Sequence, residues 1–182
     1  MKTFFSTLLL SATLLSSPAM AVEVGDIYFS DKTFSSTVQS GKKAIGLVYW
    51  VSANKDYGYI MSLEEPTTTL NPYNANVYCQ EYQVDGQTLG EWRLPYFIEL
   101  ARMGKETIKG VNNNKFTTIN NKLKTLTKPS GGTATALSAA NYVTKSSNPQ
   151  TFNPSTGVPS TGGGGWEAGS GTKYNVRCIT GF

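Results

Sequence analysis

Two apolar runs dominate the chain. Ala44 to Val51 (AIGLVYWV) is continuous and rich in β-branched and aromatic residues, and Tyr57 to Leu63 (YGYIMSL) repeats that character after the polar stretch Ser52 to Asp56. A short polar segment between two such runs predicts a central, buried β-hairpin. Upstream, Gly25 to Phe34 places two aromatic segments around a polar Ser30-Asp31-Lys32 turn, the pattern of a smaller hairpin. After Pro66 a Thr/Asn-rich stretch reads as a loop leading to Tyr78-Cys79. Trp92-Arg93-Leu94-Pro95 then opens a short helix with Phe97, Leu100, Ala101 and Gly104 on one side. Ile119, Leu123 and Leu126, spaced four and three, predict a second helix with Thr117 or Thr118 as N-cap and Gly131-Gly132 as its stop. From Pro129 to Gly171 large apolar residues are scarce and Gly, Ser, Thr, Asn and Pro abound, so residues 129–171 read as a long surface loop within one domain. Lys173 to Ile179 (KYNVRCI) returns as a last strand.

The N-terminus has a different pattern. Lys2 precedes an apolar stretch from Phe4 to Leu15, Pro18 breaks it, and Ala19-Met20-Ala21 has the small-x-small form of a signal peptidase site. The expectation is a cleaved secretory signal over residues 1–21 and a mature domain over 22–182. The apolar stretch is shorter than the ~20 residues a bilayer crossing needs. No later segment resembles a membrane span, and no cysteine follows the stretch to take a lipid anchor. The protein is therefore expected to be exported: periplasmic, cell-surface or secreted. In that oxidising setting the pair Cys79 and Cys178 predicts a disulfide. A catalytic thiol or a metal pair would need a His partner or close Cys spacing, and neither is present.

Composition narrows the chemistry. The 182 residues contain no histidine, which removes Ser-His-Asp and Cys-His nucleophilic catalysis and His-ligated zinc together. Sixteen Lys and Arg against twelve Asp and Glu give a formal charge of +4, too modest for a dedicated nucleic-acid binder. Positive charge is nonetheless concentrated. Arg102, Lys105, Lys109, Lys115, Lys122, Lys124 and Lys128 face the single acid Glu106, a basic stripe that would attract polyanions. A solvated face of two amphipathic helices fits the same pattern. Glu64-Glu65 is an adjacent carboxylate pair, but neighbours at a strand end point opposite ways and cannot flank one glycosidic bond. Gly162 to Gly165 lacks the strand-loop-helix context and the following Lys-Ser or Lys-Thr of a phosphate cradle. Trp50 and Trp92 read as core. Trp166, between glycines on a loop, either stacks on a sugar face or pins the loop to the sheet.

Gly25-Asp26-Ile27-Tyr28-Phe29-Ser30-Asp31, Ile45 to Trp50, Trp92-Arg93-Leu94-Pro95 with trailing Glu99-Leu100, and Val176-Arg177-Cys178 together resemble a bacterial exported domain family of unknown function. It is the domain at the C-terminal end of the Legionella collagen-like adhesin, similar also to the Fibrobacter major paralogous domain. Tyr96 stands where family members usually have Thr, and only Tyr142 with Ser146-Ser147 echoes their Tyr-Trp-Ser-Ser block. The resemblance implies an α+β, C-type-lectin-like fold of the formylglycine-generating-enzyme variant: a twisted antiparallel sheet, two short helices and long loops. The enzymes of that fold depend on reactive cysteines, and both cysteines here are assigned to a disulfide. Motifs that lectin domains use for calcium are missing; Glu65-Pro66-Thr67 and Asn148-Pro149-Gln150 echo them only superficially. The expectation is thus a non-enzymatic adhesion module with no metal or cofactor, taking an anionic or sulphated glycan, as the adhesin relative implies, or a surface protein. The alternative is a structural subunit of a surface appendage or secretion assembly.

Overall fold

The computed structural model describes residues 21–85, 88–103, 105–106, 113–145, 150–161 and 171–182. Residues 1–20 of the expected signal segment, Gly104, Lys109, Ser146-Ser147, Gly162 to Gly165 and Trp166 lie outside the described residues. In chain order the elements are β1 (Ile27–Phe29), β2 (Phe34–Ser35), β3 (Ala44–Val51), β4 (Gly58–Ser62), α1 (Pro72–Glu81), α2 (Phe97–Ala101), β5 (Lys105–Glu106), β6 (Asn113–Asn114), α3 (Phe116–Leu123), β7 (Tyr142–Val143), β8 (Gln150–Asn153), β9 (Val158–Thr161) and β10 (Ile179–Gly181). The class is α+β, with antiparallel sheets and a few short helices. The main sheet has five strands in the order β10-β4-β3-β1-β2.

Both hairpins read from the sequence form: β1 pairs with β2, and β3 with β4. β3 is apolar without alternation because it is covered on both faces and carries two register shifts. Against β1 the register slips between Tyr28 and Phe29, and against β4 between Val48 and Trp50. Each irregularity re-aims the next side chain. Ala44, Leu47 and Tyr49 thereby enter one core while Ile45 and Val48 enter the other. The first core packs the sheet against Leu100 and Ala101 of α2, Ile119 and Leu123 of α3, and Tyr142 and Phe152 of the small sheet. The second packs it against Ala75 and Cys79 of α1, with Trp92 and Leu94 beside them.

Several expectations are corrected. The Thr/Asn-rich stretch contains α1, capped by Asn71, whose side chain accepts the Asn74 N–H at 2.8 Å, with Pro72 in the first turn. Its buried stripe is only Pro72, Ala75 and Cys79, so no large apolar period announces it. The region read as a long loop holds the three-stranded antiparallel sheet β7-β8-β9. α3 begins after Lys115, which has no side-chain cap bond, rather than after Thr117 or Thr118, and it ends at Leu123, with Leu126 buried one turn beyond. The last strand is shorter and later than expected: Tyr174 and Asn175 make isolated bridges, and the ladder starts at Ile179.

The Cys79–Cys178 disulfide forms, with both residues fully buried and Cα atoms 5.3 Å apart. It ties α1 to the segment entering β10 across 99 residues of sequence. No helix among the described residues is long and apolar enough to cross a membrane. A close approach closes the far edge of the sheet. The Phe182 ring lies over Gly58, where an added Cβ would overlap it and stand 2.6 Å from the Trp50 carbonyl oxygen.

Two stability outcomes follow from this packing. Replacing both cysteines by Ala lowers the unfolding free energy by about 4 kcal/mol in the chain-entropy picture, read as a lower urea midpoint. Gly58→Ala costs about 1 to 3 kcal/mol, because a backbone oxygen cannot move aside as a side chain can, and it lowers the melting temperature accordingly.

Candidate functional site

The irregular segment that carries much of the surface is fixed from inside. Arg177 is fully buried just before β10. Its Nη1 donates to the Ser62 carbonyl at 2.7 Å, and its Nη2 to the Thr135 carbonyl at 2.8 Å and to the Glu65 carboxylate. Glu65 also accepts the Tyr142 hydroxyl at 2.7 Å, and that hydroxyl accepts the Ser138 N–H at 2.9 Å. Burial, then the Glu65 charge, pushes the Tyr142 hydroxyl up to about 12, so it remains a donor across ordinary pH. Glu64 turns elsewhere and accepts the Ser130 N–H at 2.8 Å. The adjacent acids thus hold two different parts of one loop.

The basic residues of the stripe fall into two groups. At the start of β3, Lys128 lines a cleft of about 440 Å³ together with Val38, Lys42 and Lys43. Lys122 on α3 lines a separate cavity and donates to the Ser36 carbonyl at 2.6 Å, and Lys124 is exposed at the C-cap of the same helix. Lys42 pairs with Asp31 and Lys43 with Asp85, each at 2.7 Å, and all four side chains are substantially exposed. The hydrogen bond from Lys42, then that from Thr33, holds the Asp31 carboxyl down at about 2. Lys115 sits one helix length away at the N-cap of α3. Lys105 lies in the two-residue strand β5, its side chain outside the described residues along with Lys109 and Trp166. Lys42 and Lys43 escaped the sequence reading, although a lysine doublet directly before a buried strand was visible.

Arg102 belongs elsewhere. β3 runs from Ala44, in the lysine cleft, to Trp50, on which Arg102 lies, so about 20 Å of strand separates Arg102 from Lys128 at ~3.3 Å per residue. Its guanidinium carbon is 4.0 Å from the Trp50 ring centroid and 5.8 Å from that of Tyr59. Trp50 stacks on Tyr59 at 5.3 Å and meets Tyr57 at 5.4 Å, and Tyr57 is 48% exposed. Trp92 is in the core as read, but Trp50 is only partly buried, at the rim.

Beside this cluster Glu99 of α2 is 4% exposed. Its two oxygens accept Arg93 Nη2 at 2.6 Å and Nη1 at 2.7 Å, and one also accepts the Tyr96 N–H at 2.8 Å, closing the first turn of the helix. Burial pushes the Glu99 carboxyl up, but the Arg93 guanidinium and the Tyr96 N–H outweigh it and hold the group below its ordinary 4.5. A depressed folded value means that the stabilisation is present above the unfolded value and disappears as pH falls through the folded one. Glu99→Gln therefore loses about 2 kcal/mol at neutral pH, less than the ~3–5 of a fully buried pair because Arg93 is one-third exposed. The difference between wild type and variant narrows as urea titrations move below pH 4.5.

Comparison with known proteins adds no relative: no protein-family model matches the chain, and no curated protein matches it.

Proposed function

We propose that the chain is an exported, non-enzymatic binding or adhesion module that recognises anionic glycans through the lysine-rimmed cleft at the start of β3. One observation carries the reading. The fold brings Lys42 and Lys43 into one cleft with Lys128, more than eighty residues away in sequence. Among the described residues only Asp31 and Asp85 form ion pairs with these lysines. The cleft is open, with Lys42 and Lys43 exposed and Lys128 half-buried, which suits a sulphated polymer that contacts many cations weakly rather than a small substrate held tightly. Glu64, Glu65 and Glu99 are engaged in bonds that hold the fold, which supports a binding role over hydrolysis.

The likeness to the C-terminal domain of the Legionella collagen-like adhesin points the same way, and so does the α+β inventory expected of a C-type-lectin-like domain. The Cys79–Cys178 bond suits an oxidising compartment, in keeping with the signal-like N-terminus.

On immobilised heparin the mature protein is retained at low salt and elutes as salt screens the exposed charges. A Lys42→Gln/Lys43→Gln/Lys128→Gln variant elutes at distinctly lower salt, while its melting temperature stays close to that of wild type, since exposed substitutions cost about 0.5 kcal/mol or less each. Wild type that passes straight through the column, or a triple variant retained as strongly as wild type, rules the cleft out.

A further inference from the structure

The aromatic rim at the other end of β3 is a second surface with its own chemistry. Arg102 makes no side-chain hydrogen bond and no ion pair among the described residues; it lies with its guanidinium carbon 4.0 Å over the Trp50 ring. A guanidinium stacked by its face keeps its N–H edge available, and stacking restricts the orientations of that edge. Glu106, four residues later, has its side chain outside the described residues, and two acids whose side chains are described are already engaged. Glu99, three residues earlier, accepts Arg93 through both oxygens and the Tyr96 N–H besides. Asp56, in the turn before Tyr57, accepts Ser52 Oγ at 2.8 Å and Asn54 Nδ2 at 2.6 Å. Arg102 is thus a positive fork without a carboxylate among the described residues; it lies 5.8 Å from the centre of the part-exposed Tyr59 ring and rests on Trp50, which the exposed Tyr57 ring also meets.

We propose that Arg102, Trp50, Tyr57 and Tyr59 form a binding site for a hexuronic acid residue of a glycan. The planar fork takes the planar carboxylate through two parallel N–H bonds. The exposed Tyr57 ring, packed against Trp50, presents an apolar face of the size of a pyranose ring, where sugar C–H groups pack. Carboxylate and ring are offered together, which distinguishes a uronate from a neutral sugar and from an isolated anion. The surface lies about 20 Å of strand away from Lys128 and does not depend on the lysine cleft.

The test is calorimetric titration of the mature protein with trigalacturonate and with its methyl ester, which keeps the rings and removes the charge. Wild type binds the acid and binds the ester at least tenfold more weakly. Arg102→Lys, which keeps the charge but not the fork, weakens binding of the acid at least tenfold. Tyr57→Ala, at an exposed ring whose loss leaves the melting temperature unchanged, weakens it several-fold. Lys42→Gln/Lys43→Gln/Lys128→Gln binds trigalacturonate as wild type does, so failure of the lysine cleft and failure of this site are read separately. The site is overturned by the absence of binding of the acid, by equal affinity for acid and ester, by unchanged affinity in both Arg102→Lys and Tyr57→Ala, or by loss of binding in the lysine variant.

Discussion

A fully buried guanidinium sets the terms for this fold. Arg177 cannot be desolvated without partners, since an uncompensated buried charge costs several kcal/mol. Its partners come from separate parts of the chain: the Ser62 carbonyl at the end of β4, the Glu65 carboxylate just beyond, and the Thr135 carbonyl in the segment before β7. Tyr142 joins through Glu65. One side chain therefore fixes the path of a segment too poor in large apolar residues to bury itself by the hydrophobic effect alone. The next residue, Cys178, bonds to α1, so adjacent positions tie the layers on the two faces of the sheet to the same strand entry.

That arrangement explains which elements could be read from sequence. The β3–β4 hairpin was legible because AIGLVYWV is buried on both faces, and a continuous run of β-formers is what such burial demands. α2 was legible from Leu94-Pro95 and the apolar residues after it, and the disulfide from an even cysteine pair behind a signal-like segment. α1 was not, because its buried stripe is made of Pro72, Ala75 and Cys79, and small residues leave little periodic signal. Its one available cue was Asn71-Pro72, an N-cap followed by a first-turn proline. The sheet β7-β8-β9 was hidden for a related reason. β9 is exposed along its whole length, and the apolar burial of β7 and β8 rests on Tyr142, Val143 and Phe152. Polar bonds to Glu65 and Ser138 hold that region, and such long-range bonds have no local pattern.

The candidate surfaces were legible only in part, because sequence shows where charges are but not which of them are already paired. The stripe from Arg102 to Lys128 looked like one feature, yet β3 separates its two ends. Lys128 instead meets Lys42 and Lys43, and Arg102 meets Trp50. Trp50 looked like core because it lies in an apolar run, but the register shift before it places the ring at the rim with Tyr59. Pairing separates the arginines in the same way. Arg93 and Arg177 are bound to Glu99 and Glu65 and hold the fold, whereas Arg102 rests on rings alone among the described residues.

Rigidity is the remaining link between this scaffold and recognition. Trp50 and Tyr59 are cross-strand partners on the β3–β4 ladder. The turn that follows Val51 is held by Ser52, Asn54 and Asp56 and tethered to Glu23 through Lys55. Side chains presented from such elements lose little freedom when a ligand arrives, so even a few contacts yield measurable affinity. As proposed, the lysine cleft would work on the opposite principle. Its cations lie on connecting segments and long side chains, where each contact is weak, screened and replaceable, and affinity has to come from their number. In the proposed reading, a rigid edge selects the chemical form of a single sugar, while a basic rim on connecting segments answers to the charge density of a polymer, and the two ends of β3 supply one of each.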